Sequence, residues 1–276
     1  MRFITIITAA VLLTACSADD KSSDTLPEDI QAGTFQAPRD AYDNPDLNGI
    51  WQALGSAHWD VEAHSARMGG VVEMGALGGI PAGLSVVVGG EIPYQPWARE
   101  QQQKNLADWM ALDPAVKCYL PGVPRANYMP YPMQIVQGSD TTMIVYEFAS
   151  ASRLIYMNKP DFENEFDSWM GHSRGHWEGD TLVIDVTSLM PDPWFDSSGN
   201  FHSDVLRVEE RFTPISANVL QYEATIEDPK VFTQPWKIRL PLYRRLEENA
   251  QLLEYKCVEF AEELMYGHLV KKTLEP

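Results

Sequence analysis

From Met133 onward, apolar and polar residues alternate with a period of two nearly to the C-terminus. Successive side chains of a strand point to opposite faces, so this alternation marks strands with one buried face. It predicts strands over 133–137, 142–148, 153–158, 175–177, 181–187, 205–213, 219–227, 236–242 and 252–260. Turn-forming groups separate them: Gly138-Ser139-Asp140, Glu178-Gly179-Asp180, Ser197-Ser198-Gly199-Asn200 and Ser216-Ala217-Asn218. Short strands joined in this way predict a mainly β chain, an antiparallel meander closing into a barrel. A two-sheet sandwich is the alternative, and 262–272 reads as a short closing helix.

The chain before Met133 breaks this rhythm. Pro96 to Met110 is the best helix: Pro96 suits a first turn, and Trp97, Leu106, Trp109 and Met110 can share a face. Asp113-Pro114 stops it. Residues 118–125, with two prolines, run extended and can strap one end of a barrel. The segment 68–90 is too rich in glycine for a stable helix. It reads either as a mobile apolar lid or as an irregular loop burying its Val and Leu on the barrel wall. Order begins at Asn44-Pro45-Asp46, leading into Gly49-x-Trp51, a pattern reminiscent of the first strand of lipocalin-type barrels, where the Trp closes the floor.

The N-terminus changes the picture of where this body works. Arg2, a short apolar run from Ile4 to Leu13, and Leu13-Thr14-Ala15-Cys16 resemble a bacterial lipoprotein signal. The run is too short to span a bilayer. The expected division is a signal peptide over 1–15, a lipid anchor at Cys16 with a flexible tether over 16–41, and a single barrel domain over 42–276. That places the protein in the periplasm, and the non-acidic Ser17 favours the outer membrane. Only Cys118 and Cys257 then remain, and in an oxidising compartment they are expected to pair. The net charge of −18 argues against a nucleic-acid partner, whose phosphates need Lys and Arg.

Several motifs occur in order along the chain. They are Pro45-Asp46-Leu47-x-Gly49-x-Trp51, Cys118-x-x-Pro121-Gly122-x-Pro124-Arg125, and Trp169-Met170-Gly171-His172-Ser173-x-Gly175-x-Trp177-Glu178-Gly179-Asp180-Thr181-Leu182-Val183. With Glu227-Asp228-Pro229 and Pro235-Trp236, they resemble a family of exported proteins of proteobacteria and acidobacteria. The resemblance implies export and a lipocalin-like β-rich body; the expected fold is an antiparallel lipocalin-like β-barrel with one or two short helices. It carries no activity and transfers no catalytic residue.

Candidate chemistry centres on 169–187. His172 and His176 are four apart, but the recurring glycines argue against a helix. On a strand the two stand roughly 13 Å apart, too far to share a metal ion. No metal and no cofactor is therefore implied. His172, Arg174 and His176 instead form a row on one strand face, spaced by about 6–7 Å, suited to gripping an anionic or carbonyl oxygen. A solvated outer face is the competing reading. In the connector 192–204, His202 and Asp204 can form an oriented acid–base pair, and Asp196 can hold the other nitrogen of a His. Aromatics plugging the barrel end is the alternative there.

Glu147 and Glu210 follow apolar phases, and Arg153 is the candidate partner of a buried carboxylate. Gly-His-Ser-Arg-Gly matches a nucleophile elbow in letters only, since a strand follows where a helix is needed.

The leading expectation is a barrel that binds a small, largely apolar molecule with an oxygen-bearing polar group. His172, Arg174, His176, Arg153 and Glu210 would supply the polar contacts, and the membrane would be met through the lipid anchor. The alternatives are a cofactor-free lyase or isomerase using His172, Arg174, His202 and Asp204, and an envelope assembly partner using the glycine-rich segment.

Overall fold

The computed structural model describes residues 35–70, 72–159, 166–255 and 257–258. The signal-like segment, Cys16, most of the expected tether and the expected closing helix lie outside them. Nine strands form a closed barrel in sequence order: β1 Gly49–Ala53, β2 Met133–Gln137, β3 Thr141–Tyr146, β4 Ser152–Met157, β5 His172–Glu178, β6 Thr181–Thr187, β7 Arg207–Ser216, β8 Val219–Glu227 and β9 Trp236–Arg244. Eight of the nine neighbouring pairs are antiparallel, and β4 and β5 run parallel. The parallel pair follows from the long 158–171 connection, which returns the chain to the end where β4 began. A tight hairpin cannot do this. Residues 252–255 form no strand, and most of the rest of that expected strand lies outside the described residues.

The registers give the barrel two unlike ends. The turns at 138–140, 179–180 and 217–218 close one end. Long connections over 54–132, 188–206 and 228–235 cover the other as a cap.

The seam between β1 and β9 is sealed at the turn end. The Arg244 guanidinium lies 4.2 Å from the Trp51 ring centre, and its Nη1 donates to the Asn48 carbonyl at 2.6 Å. The Trp51 indole N–H donates to the Leu47 carbonyl, so this buried Trp closes the floor. Gly49 has φ +134°, and a Cβ there would stand 2.3 Å from Arg244 Nη1. The Gly-x-Trp pattern is thus a packing requirement of the cation seated above it. Residues 35–41, expected in the tether, are held against the barrel: Arg39 Nη2 meets Asp180 Oδ1 at 2.8 Å, and the Pro38 carbonyl accepts from Asp46 N–H.

The inside of the barrel is filled. Met133, Ile135, Ile144, Ile155, Phe212 and Tyr222 are all buried there. One polar cluster sits among them. Arg153 Nη1 meets Glu210 Oε2 at 2.6 Å, with side-chain exposures of 2% and 0%. Tyr222 and Asn127 donate to Glu210 Oε1, and Tyr146 donates to Asn127 Oδ1. The pairing expected of Glu210 and Arg153 is therefore present, but each is occupied by the other. Glu147 is a correction: Met143 and Val145 take the outward phase, while Thr142, Ile144 and Tyr146 are buried. The Glu147 carboxylate instead accepts from Leu253 N–H.

The helix also differs from its expected form. It splits into α1, Pro96–Ala107, and α2, Trp109–Leu112. Trp97 is exposed, and the buried positions of α1 are Ala98, Gln102 and Asn105. Gln102 and Asn105 donate to the carbonyls of Ser198 and Gly199, so α1 docks on a connector loop through amide side chains.

Removing one partner of a buried ion pair leaves an uncompensated charge, at a cost of about 3–5 kcal/mol. Glu210→Ala is expected to lose that much in urea denaturation; an unchanged midpoint would show that Arg153 finds another partner.

Candidate functional site

A large cavity lies in the cap. It measures about 650 Å³ and is lined from four directions. His58 and Trp59 come from the excursion after β1, and Trp109 to Val116 from α2 and the turn after it. Arg125 and Met129 to Tyr131 come from the strap before β2, and Ser197 from the connector between β6 and β7. Phe148, Tyr255, Cys257 and Val258 complete it. Cys118 and Cys257 are joined, with a Cα separation of 5.6 Å, so the expected disulfide pins the chain's last described residues against this wall. Tyr255 packs within 5.1 Å of both Tyr131 and Phe148, ring centre to ring centre.

The polar floor is an ion pair closed by a hydroxyl. Arg125 Nη1 and Nη2 donate to Asp113 Oδ1 and Oδ2, each at 2.8 Å. Arg125 Nη2 also reaches Ser197 Oγ at 2.9 Å, and that hydroxyl donates to Asp113 Oδ2 at 3.1 Å. The bidentate fork makes the pair strong and directional. It ties together residues 113, 125 and 197, and so fixes three cap segments at once.

His58 stands beside this pair. Burial, and then the Arg125 charge, lower its pKa to about 4, against partial support from the Gly55 carbonyl. Its imidazole is neutral at pH 7. Two nitrogens of lining residues, His58 Nδ1 and Arg125 Nε, are buried without a hydrogen-bond partner. Such unmet capacity is what a bound polar group or water satisfies.

Beneath the floor, Asp196 organises the connector. It accepts from the backbone of Val61, Ser198 and Asn200 and from the Asn200 amide. Burial, then the neighbouring Asp60, push its pKa up to about 7, although these N–H donors favour the charged form. Gly199, at φ +80°, fits where a Cβ would strike Asn105.

The residues singled out from the sequence do not meet at this cavity. On β5, Ser173 and Gly175 face inward, which turns His172, Arg174 and His176 to the outer wall. The His172 ring stacks on Tyr156 at 5.3 Å, and burial lowers its pKa. His176 Nε2 lies 3.4 Å from Glu178 Oε1. The space left by Gly175 is filled from inside, since a Cβ would meet Ile155 and Met157 at 2.7 Å.

His202 and Asp204 are not a pair. His202 is buried against Phe195, its Nδ1 is 3.0 Å from the Ser203 carbonyl, and burial lowers its pKa. Asp204 is exposed and held below the usual carboxylate range by Lys230, 2.6 Å away. Asp196 accepts from amides and holds no His nitrogen. Phe195 does plug the cap, buried on Phe232 and Trp236. Among the described residues, no group of three or more His, Cys, Asp or Glu is placed to hold a metal ion.

The glycine-rich segment lies beside a different, apolar hollow. Pro81 to Leu84 and Val86 line it. Val88 N–H donates to Lys237, and Arg239 N–H to Val86, adding a rung to β9 beyond the end of β1. Ile80 and Val87 are buried while Leu77 and Leu84 are exposed, so the segment is a loop layer on the wall. It does not line the larger cavity.

His58, Asp113, Arg125 and Ser197 escaped the sequence reading. One signal was available. Arg125 is the only charged residue between Lys117 and Asp140, in an apolar, proline-rich run, and a cation so placed needs a buried partner. Compared with known proteins, the chain matches no family model and no curated protein.

A histidine with a pKa of about 4 folded and 6.5 unfolded withdraws stability as pH falls through that window. Asp196, at about 7 folded against 3.8 unfolded, adds stability at low pH and loses it as pH rises. The two oppose each other. His58→Asn removes only the first, so its stability relative to the unchanged protein is expected to improve from pH 7.5 to about pH 4.5. Urea midpoints at both pH values check this; a pH-independent difference contradicts it.

Proposed function

We propose that the protein is a ligand-binding β-barrel whose site is the cap cavity, and that it takes a small, largely apolar molecule with an oxygen-bearing polar group. The carrying observation is an apolar, aromatic and thioether-lined space of about 650 Å³ over a single fixed polar floor. Volume and lining are those of a small-molecule site, mostly apolar with a few convergent polar groups. The polar contacts fall to Arg125, Ser197 and His58. Arg153 and Glu210 belong to the barrel filling, and the His172, Arg174 and His176 row lies on the outer wall.

The same reading puts the protein in the periplasm, lipidated at Cys16. The Leu13-Thr14-Ala15-Cys16 sequence supports this, and so does a disulfide that suits an oxidising compartment. The acid–base reading with His172, Arg174, His202 and Asp204 has no assembled set of groups behind it.

N-phenyl-1-naphthylamine, a neutral apolar fluorophore, tests the site. Saturable enhancement is expected with the unchanged protein. Ala115 lines the cavity from a half-buried position, so Ala115→Trp fills the space at little cost to the fold. Enhancement is expected to vanish in this variant with the melting temperature preserved; undiminished binding would remove the cavity as the site.

A further inference from the structure

We infer that the cap cavity selects a neutral, hydroxyl-bearing aromatic molecule, a phenol or aryl alcohol, and discriminates against the matching carboxylate. This rests on the cavity being the ligand site and names the class of ligand it takes.

The argument starts from charge. Apart from His58, the ionisable groups of opposite sign on the lining are Arg125 and Asp113, and they are spent on each other. The guanidinium fork is closed, with Nη1 and Nη2 on the two Asp113 oxygens and Nη2 also on Ser197 Oγ. Asp113 further accepts from Ala115 N–H and the Ser197 hydroxyl. An entering carboxylate would lose its water and meet no free cation. An ammonium group would meet no free anion. Either would leave a charge uncompensated in a largely apolar space, which strongly disfavours binding.

Hydrogen bonding narrows the class further. His58 is neutral at pH 7, so its ring offers one N–H and one lone pair. His58 lines the cavity, and its Nδ1 has no hydrogen-bond partner, so the ring has capacity left over. A hydroxyl both donates and accepts, and so suits an imidazole in either tautomer. A ketone or ether only accepts.

The walls favour a ring. Trp59 and Trp109 already meet edge to face at 6.0 Å, and Tyr131, Phe148 and Tyr255 form a second aromatic group. Met110 and Met129 add sulfur contacts that adapt to a flat guest.

The test is competition against N-phenyl-1-naphthylamine at pH 7 with 2-naphthol, 2-naphthoate and naphthalene, which share one ring system and differ at one substituent. 2-Naphthol is expected to bind at least about tenfold more tightly than either of the others, the equivalent of one hydrogen bond to a neutral partner. In His58→Phe, checked for an unchanged melting temperature, its advantage over naphthalene is expected to fall to less than about threefold.

Equal or tighter binding of 2-naphthoate, abolished by Ala115→Trp, overturns the inference and leaves the cavity as the ligand site. Equal binding of naphthalene overturns the hydroxyl requirement, and an undiminished 2-naphthol preference in His58→Phe overturns the part assigned to that ring. If no probe binds, or if binding ignores Ala115→Trp, the ligand site itself is misplaced.

Discussion

A closed barrel has no free strand edge, but it must fill its own inside, and that constraint decides where everything else goes. Nine strands enclose a volume that this chain occupies with Met, Ile, Phe and Tyr side chains and one polar cluster built on the Arg153–Glu210 pair. Little interior is left for a guest. The Arg153–Glu210 pair is tolerated there because the Tyr222 hydroxyl and the Asn127 amide also donate to the carboxylate. The cavity in the cap lies beyond the strand ends, where long connections depart from the barrel and must be packed over it.

That cap is held together differently from the barrel. Its segments have little regular pairing, so side chains do the joining. Asp196 gathers backbone N–H groups from two segments, Gln102 and Asn105 hold the loop carbonyls, and Arg125 with Asp113 and Ser197 joins three stretches at a point. Buried carboxylates with several N–H partners organise loops well, since each oxygen satisfies more than one donor. The ion pair under the cavity is thus first a structural joint. Its self-neutralised charge is a by-product that shapes what can sit on top of it.

The parts of this architecture legible in the sequence are those with a local period. The strands 133–137, 181–187 and 219–227 fall where alternation put them, and Gly49-x-Trp51 marks the floor. Phase was less legible than existence. In β3 the apolar residues Met143 and Val145 occupy the outward face, so alternation pointed Glu147 the wrong way. The face of β5 could not be read at all, because glycine alternates with His and Arg and neither set is plainly apolar. The helix was placed correctly, but its buried side is polar, since its partner is a loop with free carbonyls. The cavity residues had no period to reveal them: Asp113 and Ser197 stand 84 positions apart and meet only through the fold.

The two ends of the barrel also give the molecule a direction. Chain entry, the Arg39–Asp180 contact and the Arg244 seal all lie at the hairpin end, while the cavity opens among the connections at the other. Residues 38 and 39 therefore sit at the end of the barrel opposite the cavity. The cavity thus opens on the side of the barrel away from the hairpin turns, and a molecule entering it passes only the long connections.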